Sequence, residues 1–279
     1  MRIRPTSPAL VWCGLFLLAA PLVPARATRL AAQRTADQAR LMLTVSAGYA
    51  GGASHWAIDR QPVVVSATGN DTIALERDLR SRIGIGFSGA YFPGEHWGFT
   101  AEAFLVGLGT EDRCRYLFSA GTSASADVAE ACQNLQGKQK PGTAVMITAG
   151  TIYRINSRHP VSPYLRATGG LVVSQQSPVA VSGNFVNSAG NLVELVIYDD
   201  PEPRRVNLAG AVGAGFTAAV ARGYQLRFEV RDNIVGVQKV DRPTFQNGLV
   251  PERSTAYRHL FSLTMGFDVV LERRRGRRY

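Results

Sequence analysis

Hydrophobic and polar residues alternate with a period of two along eight stretches of the chain, near residues 40–50, 81–92, 96–107, 143–154, 163–174, 206–219, 223–235 and 259–271. In Tyr224-Gln225-Leu226-Arg227-Phe228-Glu229-Val230-Arg231 one face is aromatic or aliphatic and the other carries amide and charge. A helix would mix these faces; a strand separates them, because its successive side chains point to opposite sides. Phe261, Leu263, Met265, Phe267, Val269 and Leu271 alternate in the same way with Ser262, Thr264, Gly266 and Asp268. Leu41, Leu43, Val45 and Tyr49 alternate with Thr44, Ser46 and Gly48. The pattern predicts eight strands of about the 9–11 residues that a tilted strand needs to cross hydrocarbon.

The connections between these strands alternate too. Pro93-Gly94-Glu95, Ile155 to Ser162 and Ala221-Arg222 are short, whereas the other four connections run to about 20–35 residues. Short turns at one end and long loops at the other predict an all-β fold, an eight-stranded antiparallel up-and-down transmembrane β-barrel with short periplasmic turns and four long outer loops. A soluble secreted ligand-binding barrel or sandwich, with its apolar face turned inward, is the alternative that alternation alone leaves open. Two long connections contain hairpin signals: Pro62 to Ala67 and Ile73 to Leu79 around Thr68-Gly69-Asn70-Asp71, and Val179 to Val186 and Leu192 to Tyr198 around Asn187 to Asn191. These are expected to extend the barrel wall outward, and loop 108–142 to be less regular.

The two faces predict different surroundings. Tyr91, Phe92, Trp97, Phe99, Tyr153, Tyr164 and Tyr224 cluster near the short turns and are expected to form one interfacial girdle. The opposite face is small and polar, as in Gly84, Gly86 and Ser88 or Ala209, Ala211, Gly213 and Gly215, which suits the narrow interior of an eight-stranded barrel. Arg166, Arg227 and Arg231 with Glu102, Glu229 and Asp268 are expected to form a paired charge network in that lumen, with Arg82 and Arg154 either joining it or sitting at strand ends.

Composition settles the compartment. Arg2 and Arg4 precede an apolar run from Ala9 to Val23, followed by Ala25-Arg26-Ala27, the pattern of a signal peptide cleaved near Ala27 after Sec-type export. The chain then divides into a signal peptide at 1–27, an N-terminal lead at 28–39, the barrel at 40–271 and a basic tail at 272–279. No later segment is a long apolar run although 46% of residues are hydrophobic, so insertion into a membrane must use strands. Cys114 and Cys132 remain after cleavage and are expected to pair in an oxidising compartment. No further Cys or His stands beside them at zinc spacing, and no Walker loop, dinucleotide fingerprint or calcium loop occurs, so neither a metal nor a cofactor is expected.

The formal charge of +10 is concentrated. Arg273, Arg274, Arg275, Arg277 and Arg278 crowd the last seven residues, and no basic face interleaved with stacking aromatics suggests nucleic acid. The tail is a candidate contact for anionic lipid or cell-wall polymer on the periplasmic side.

The signal, the eight strands, the alternation of short turns and long loops, and the terminal strand Phe261 to Leu271 together resemble the small OmpA-like outer-membrane β-barrel superfamily. The resemblance spans residues 40–271. It implies a bacterial outer-membrane location, contact with outer-membrane lipid and insertion by the outer-membrane assembly machinery, which reads an alternating last strand with an aromatic end. The arginine tail ending in Tyr279 departs from that terminus.

The functional expectation is a non-enzymatic barrel that anchors and displays surface loops for envelope structure or interaction. A narrow passive transporter of a small or apolar molecule is the alternative. A lipid-modifying enzyme ranks lower. Of His55, His96, His159 and His259 only His259, followed by Ser262 in a strand, comes close to such an arrangement, and residues three apart in a strand face opposite sides.

Overall fold

The computed structural model describes residues 41–66, 69–122, 124–155, 159–175, 177–187, 189–221 and 223–271. The signal peptide, the N-terminal lead and the basic tail lie outside the described residues. Eight strands close a barrel: β1 (Leu41–Ala50), β4 (Arg82–Tyr91), β5 (Trp97–Gly107), β8 (Thr143–Arg154), β9 (Val161–Ser174), β12 (Val206–Ala221), β13 (Tyr224–Val240) and β14 (Arg253–Leu271). Each pairs antiparallel with the next, and β1 closes on β14 from Leu41↔Leu271 to Ala50↔Ser262. Closure removes every free edge from the wall, the condition for a sheet to sit in hydrocarbon.

The polarity of the wall excludes the soluble alternative. Ile83, Phe87, Phe99, Ile147, Leu208, Val230, Phe261 and Leu263 face outward and are exposed, while Thr44, Thr100, Glu102, Arg166, Glu229, Arg231 and Asp268 are buried inside. An apolar surface running around the whole barrel is stable against lipid and not against water. The small residues of the inner face make room for larger ones. A side chain at Gly84 would meet the Phe104 ring at 2.4 Å, and one at Gly213 would meet the Glu229 carboxylate at 2.6 Å.

The long connections do not extend the wall as expected. They fold into a cap of their own. β2 (Ala53–Ser66), β3 (Gly69–Leu79), β6 (Thr110–Phe118) and β7 (Lys138–Lys140) form a separate four-stranded sheet, and β10 (Val181–Val186) pairs with β11 (Leu192–Tyr198) in a hairpin. Only β13 and β14 carry the barrel ladder past its outer rim, up to Val240↔Arg253. Trp56, Ile58, Val63, Ile73, Leu75, Leu135, Val179, Ile197 and Tyr198 make a continuous buried core between the sheet, the hairpin and one helix.

That helix, α1 (Ala124–Leu135), lies in the segment expected to be irregular. Its signal was present in the sequence: Val128, Ala131, Cys132 and Leu135 recur at helical spacing and, with Ser125, are the residues it buries. Gly137, with φ of +75°, ends it in a conformation that favours glycine. The Cys114–Cys132 disulfide ties α1 to β6 with Cα atoms 5.3 Å apart. Closing a loop of 18 residues contributes about 3 kcal/mol in the chain-entropy view, all of it to the cap.

Candidate functional site

Three layers fill the bore. At the inner end, beside the short turns, Met42, Ala90, Phe92, Ile152, Tyr164 and Val270 pack as an apolar plug. Phe92 and Tyr164, both expected in the interfacial girdle, are here and only 2% exposed. Both have the strand parity of lumen residues: Tyr164 stands two positions from Arg166 and Phe92 two from Ala90, so the pleat turns them inward. Tyr91, Trp97, Phe99 and Tyr224 do face outward, with Tyr153 half-buried against Trp97 at 5.0 Å between ring centroids.

Above the plug lies the charge layer, and all six network residues meet there. Glu102 on β5 accepts from Arg231 Nη1 on β13 at 2.7 Å and also binds Arg166 Nη2 on β9. Glu229 accepts from Arg231 Nε at 2.9 Å and from the Tyr164 hydroxyl at 2.8 Å, and stands 3.7 Å from Arg166. Arg227 pairs with Asp268 at 3.1 Å. The carboxylates and guanidiniums are drawn from four strands, β5, β9, β13 and β14, so the network braces the barrel across its bore as well as around its wall. Arg154 is in the lumen and makes no ion pair with a carboxylate among the described residues: its guanidinium carbon lies 3.3 Å from the Phe92 ring centroid, and Nη2 meets Met42 Sδ at 3.0 Å. An aromatic face in a dry site can hold a cation. Arg82 stays at the outer rim, against Gly107 and Gly109.

Phe104, Val106, Met146, Val172, Val235 and Leu260 form the third layer, onto which Leu79 of the cap packs. Between this layer and the cap is a void of about 30 Å³, lined by Leu79, Leu108, Val172, Val235 and Gln238 among others. It has room for about one or two water molecules. With the bore filled at three levels, the described residues leave no open aqueous channel.

The histidines do not assemble a catalytic group. His259 faces outward and its Nδ1 lies 2.7 Å from Asp232 Oδ2 on the wall, while Ser262 is inside, where its hydroxyl accepts from Asn233 Nδ2 at 2.9 Å. His96 Nδ1 meets the Arg154 carbonyl at 2.9 Å beside a short turn. No group of three or more His, Cys, Asp or Glu able to hold a metal occurs among the described residues.

His55 in β2 was not singled out by sequence and is the most unusual titratable group in the cap. It is fully buried, and neither ring nitrogen has a hydrogen-bond partner. Burial first, then the neighbouring Arg77 and Arg258 guanidiniums, lower its pKa from 6.5 to about 3, against the pull of the Gln238 carbonyl. A folded-state pKa below the unfolded one means that the unfolded cap takes up the proton first. The stability that neutral His55 contributes is therefore complete above about pH 6.5 and is lost as pH falls toward 3. The cap is expected to lose about 2 kcal/mol between pH 7.5 and 5, and His55→Leu to flatten that dependence. Trp56 fluorescence in a Trp97→Phe background reads the transition; a midpoint unchanged across this range would contradict the burial of His55.

No protein-family model matches the chain, and no curated protein does. Among solved structures, the chain is similar to the outer membrane protein OprG from Pseudomonas aeruginosa, at 12% identity and a TM-score of 0.49 over 85% of this chain and 99% of that one. It is also similar to Neisserial surface protein A, at 14% identity and a TM-score of 0.40 over 83% of this chain and 97% of that one. For Ail, the attachment invasion locus protein of Yersinia pestis, the values are 13%, 0.33, 82% and 99%. The strand register of this chain, and not that likeness, establishes its closed eight-stranded antiparallel barrel.

Proposed function

We propose that the protein is a non-conducting, non-enzymatic anchor of the bacterial outer membrane that holds a folded cap at the cell surface for envelope structure or interaction. The observation that carries this is the contrast between a bore filled at three levels and loops that have a core and a disulfide of their own. A filled bore has no use for elaborate loops as a gate, whereas a cored cap presents a fixed surface. The apolar wall supports the membrane location, and the short turns support a periplasmic inner end. On that orientation β14 ends on the periplasmic side at Leu271, and the proposal includes contact of the basic residues that follow it in sequence, Arg273 to Arg278, with anionic lipid or cell-wall polymer.

The test is refolded protein in planar bilayers together with surface labelling of a cysteine placed at Leu192. The expected result is no stepwise conductance and labelling from outside intact cells. Reproducible conductance steps from folded protein would overturn the anchor reading. They would favour passive transport of a small or apolar molecule, for which the outer void offers a supporting feature: it lies where β12 and β13 part beyond Ala209↔Val235.

A further inference from the structure

Beneath the cap, on the lipid side of the wall, one concavity combines charge with an apolar floor. Arg204 and Arg205 stand at the outer end of β12, above Leu171 and Leu208, around a hollow of about 430 Å³. Both arginines are exposed. No acidic side chain pairs with either among the described residues, because the neighbouring acid is already taken: Arg253 binds Asp200 and also donates to the Glu202 carbonyl at 3.3 Å. Those bonds, and the Arg205 carbonyl accepting from Ser174 N at 2.8 Å, hold the backbone that displays the pair.

The floor continues inward as a valley. Leu208 pairs with Leu171, and two positions further into the membrane Gly210 pairs with Gly169. A side chain built at Gly169 would meet nothing within 4 Å, so the surface there is open to lipid. Gly169 is in turn opposite Ala149, and Ala149 opposite Ala101, which keeps the wall low across neighbouring strands. Two unpaired guanidiniums at the rim and an apolar valley below them match an amphiphile with a phosphate head and acyl chains. Arginine suits the head because its planar fork donates two hydrogen bonds to a phosphate.

We propose that Arg204 and Arg205, with the valley through Leu171, Leu208, Gly169 and Gly210, bind a phosphorylated glycolipid of the outer leaflet. The proposal rests on the outer-membrane reading above and adds a specific lipid contact to it. The phosphate sits on the guanidiniums and one acyl chain lies in the valley, so head and chain are recognised together.

Native mass spectrometry of the folded protein in detergent, titrated with lipid A or with its dephosphorylated form, tests this. Wild type is expected to bind lipid A at least about tenfold more tightly than the dephosphorylated lipid, since only the former offers charge-assisted hydrogen bonds. R204Q/R205Q is expected to abolish that preference and R204K/R205K to retain part of it. Gly169→Leu, which fills the valley, is expected to weaken both lipids. Equal binding of the two lipids by wild type, or an unchanged preference in R204Q/R205Q, would overturn the proposal. Full displacement by inorganic phosphate would do the same, because it would show a phosphate site without a lipid. Heat-dependent gel mobility checks the barrel separately: a soluble protein without the mobility shift refutes the membrane reading, and a shifting, membrane-bound protein without lipid preference refutes only this site.

Discussion

Glu102→Ala is expected to lower the stability of the barrel by about 3–5 kcal/mol, because one buried carboxylate serves two buried guanidiniums. Glu102, Arg166 and Arg231 are each about 2–3% exposed at the side chain. Without Glu102, Arg231 keeps only Glu229, and Arg166 is left with that same carboxylate at 3.7 Å. The uncompensated cation cannot be relieved by deprotonation, since arginine holds its proton at any accessible pH. Urea-induced unfolding from liposomes measures the loss. A second variant separates the cost of an orphaned charge from the worth of the pair. Glu102→Leu with Arg166→Met leaves the remaining Arg231–Glu229 pair balanced and is expected to recover most of the stability, as apolar replacements of buried ion pairs often do. A loss below about 1 kcal/mol in Glu102→Ala would mean that water reaches the network and screens it, as at an exposed pair.

Asp112→Ala is expected to unfold the cap while sparing the barrel. Arg77 is fully buried in the cap, and its Nε and Nη2 both bind the Asp112 carboxylate. The same guanidinium donates to the Pro178 carbonyl at 2.8 Å and to the Ala180 carbonyl at 2.9 Å, which joins the sheet to the segment leading into β10. Removing Asp112 strands that cation in the core at a cost of about 3–5 kcal/mol, comparable to what the disulfide contributes or more. Here too the double replacement discriminates. In Arg77→Met with Asp112→Leu, Pro178 still accepts from Trp56 Nε1 at 3.1 Å and Ala180 from Lys140 Nζ at 3.2 Å. No buried carbonyl is orphaned, so the cap is expected to refold. Protease cleavage within residues 110–140 alongside heat-dependent mobility reads the two units apart. Loss of the barrel together with the cap in Asp112→Ala would show that they fold as one unit.

Much of this architecture was legible in the chain, for a definite reason. A barrel strand has lipid on one side and a packed lumen on the other, so its period of two is written in polarity. That period located all eight wall strands to within a few residues, except where β13 and β14 outrun the membrane. From Gly236 to Val240 and from Arg253 to Arg258 neither face meets lipid alone, and the alternation fades. The same period, applied strictly, would have turned Phe92 and Tyr164 inward. Their closeness to the turns suggested a girdle, but parity decides the face and position only the depth.

The cap was legible only in parts. Its hairpins carried turn residues and α1 carried an apolar face, yet nothing local indicated that Trp56, Leu135, Val179 and Tyr198, spread over more than a hundred residues, share one core. The same holds for the lumen. Sequence by itself determined which charges face inward, because that depends on neighbours two positions away. Which carboxylate meets which guanidinium was decided by the tertiary structure alone. Closing the sheet at β1 and β14 carries β5 across the bore from β13, and so brings Glu102 to Arg231, 129 residues away, without a strand ladder between them.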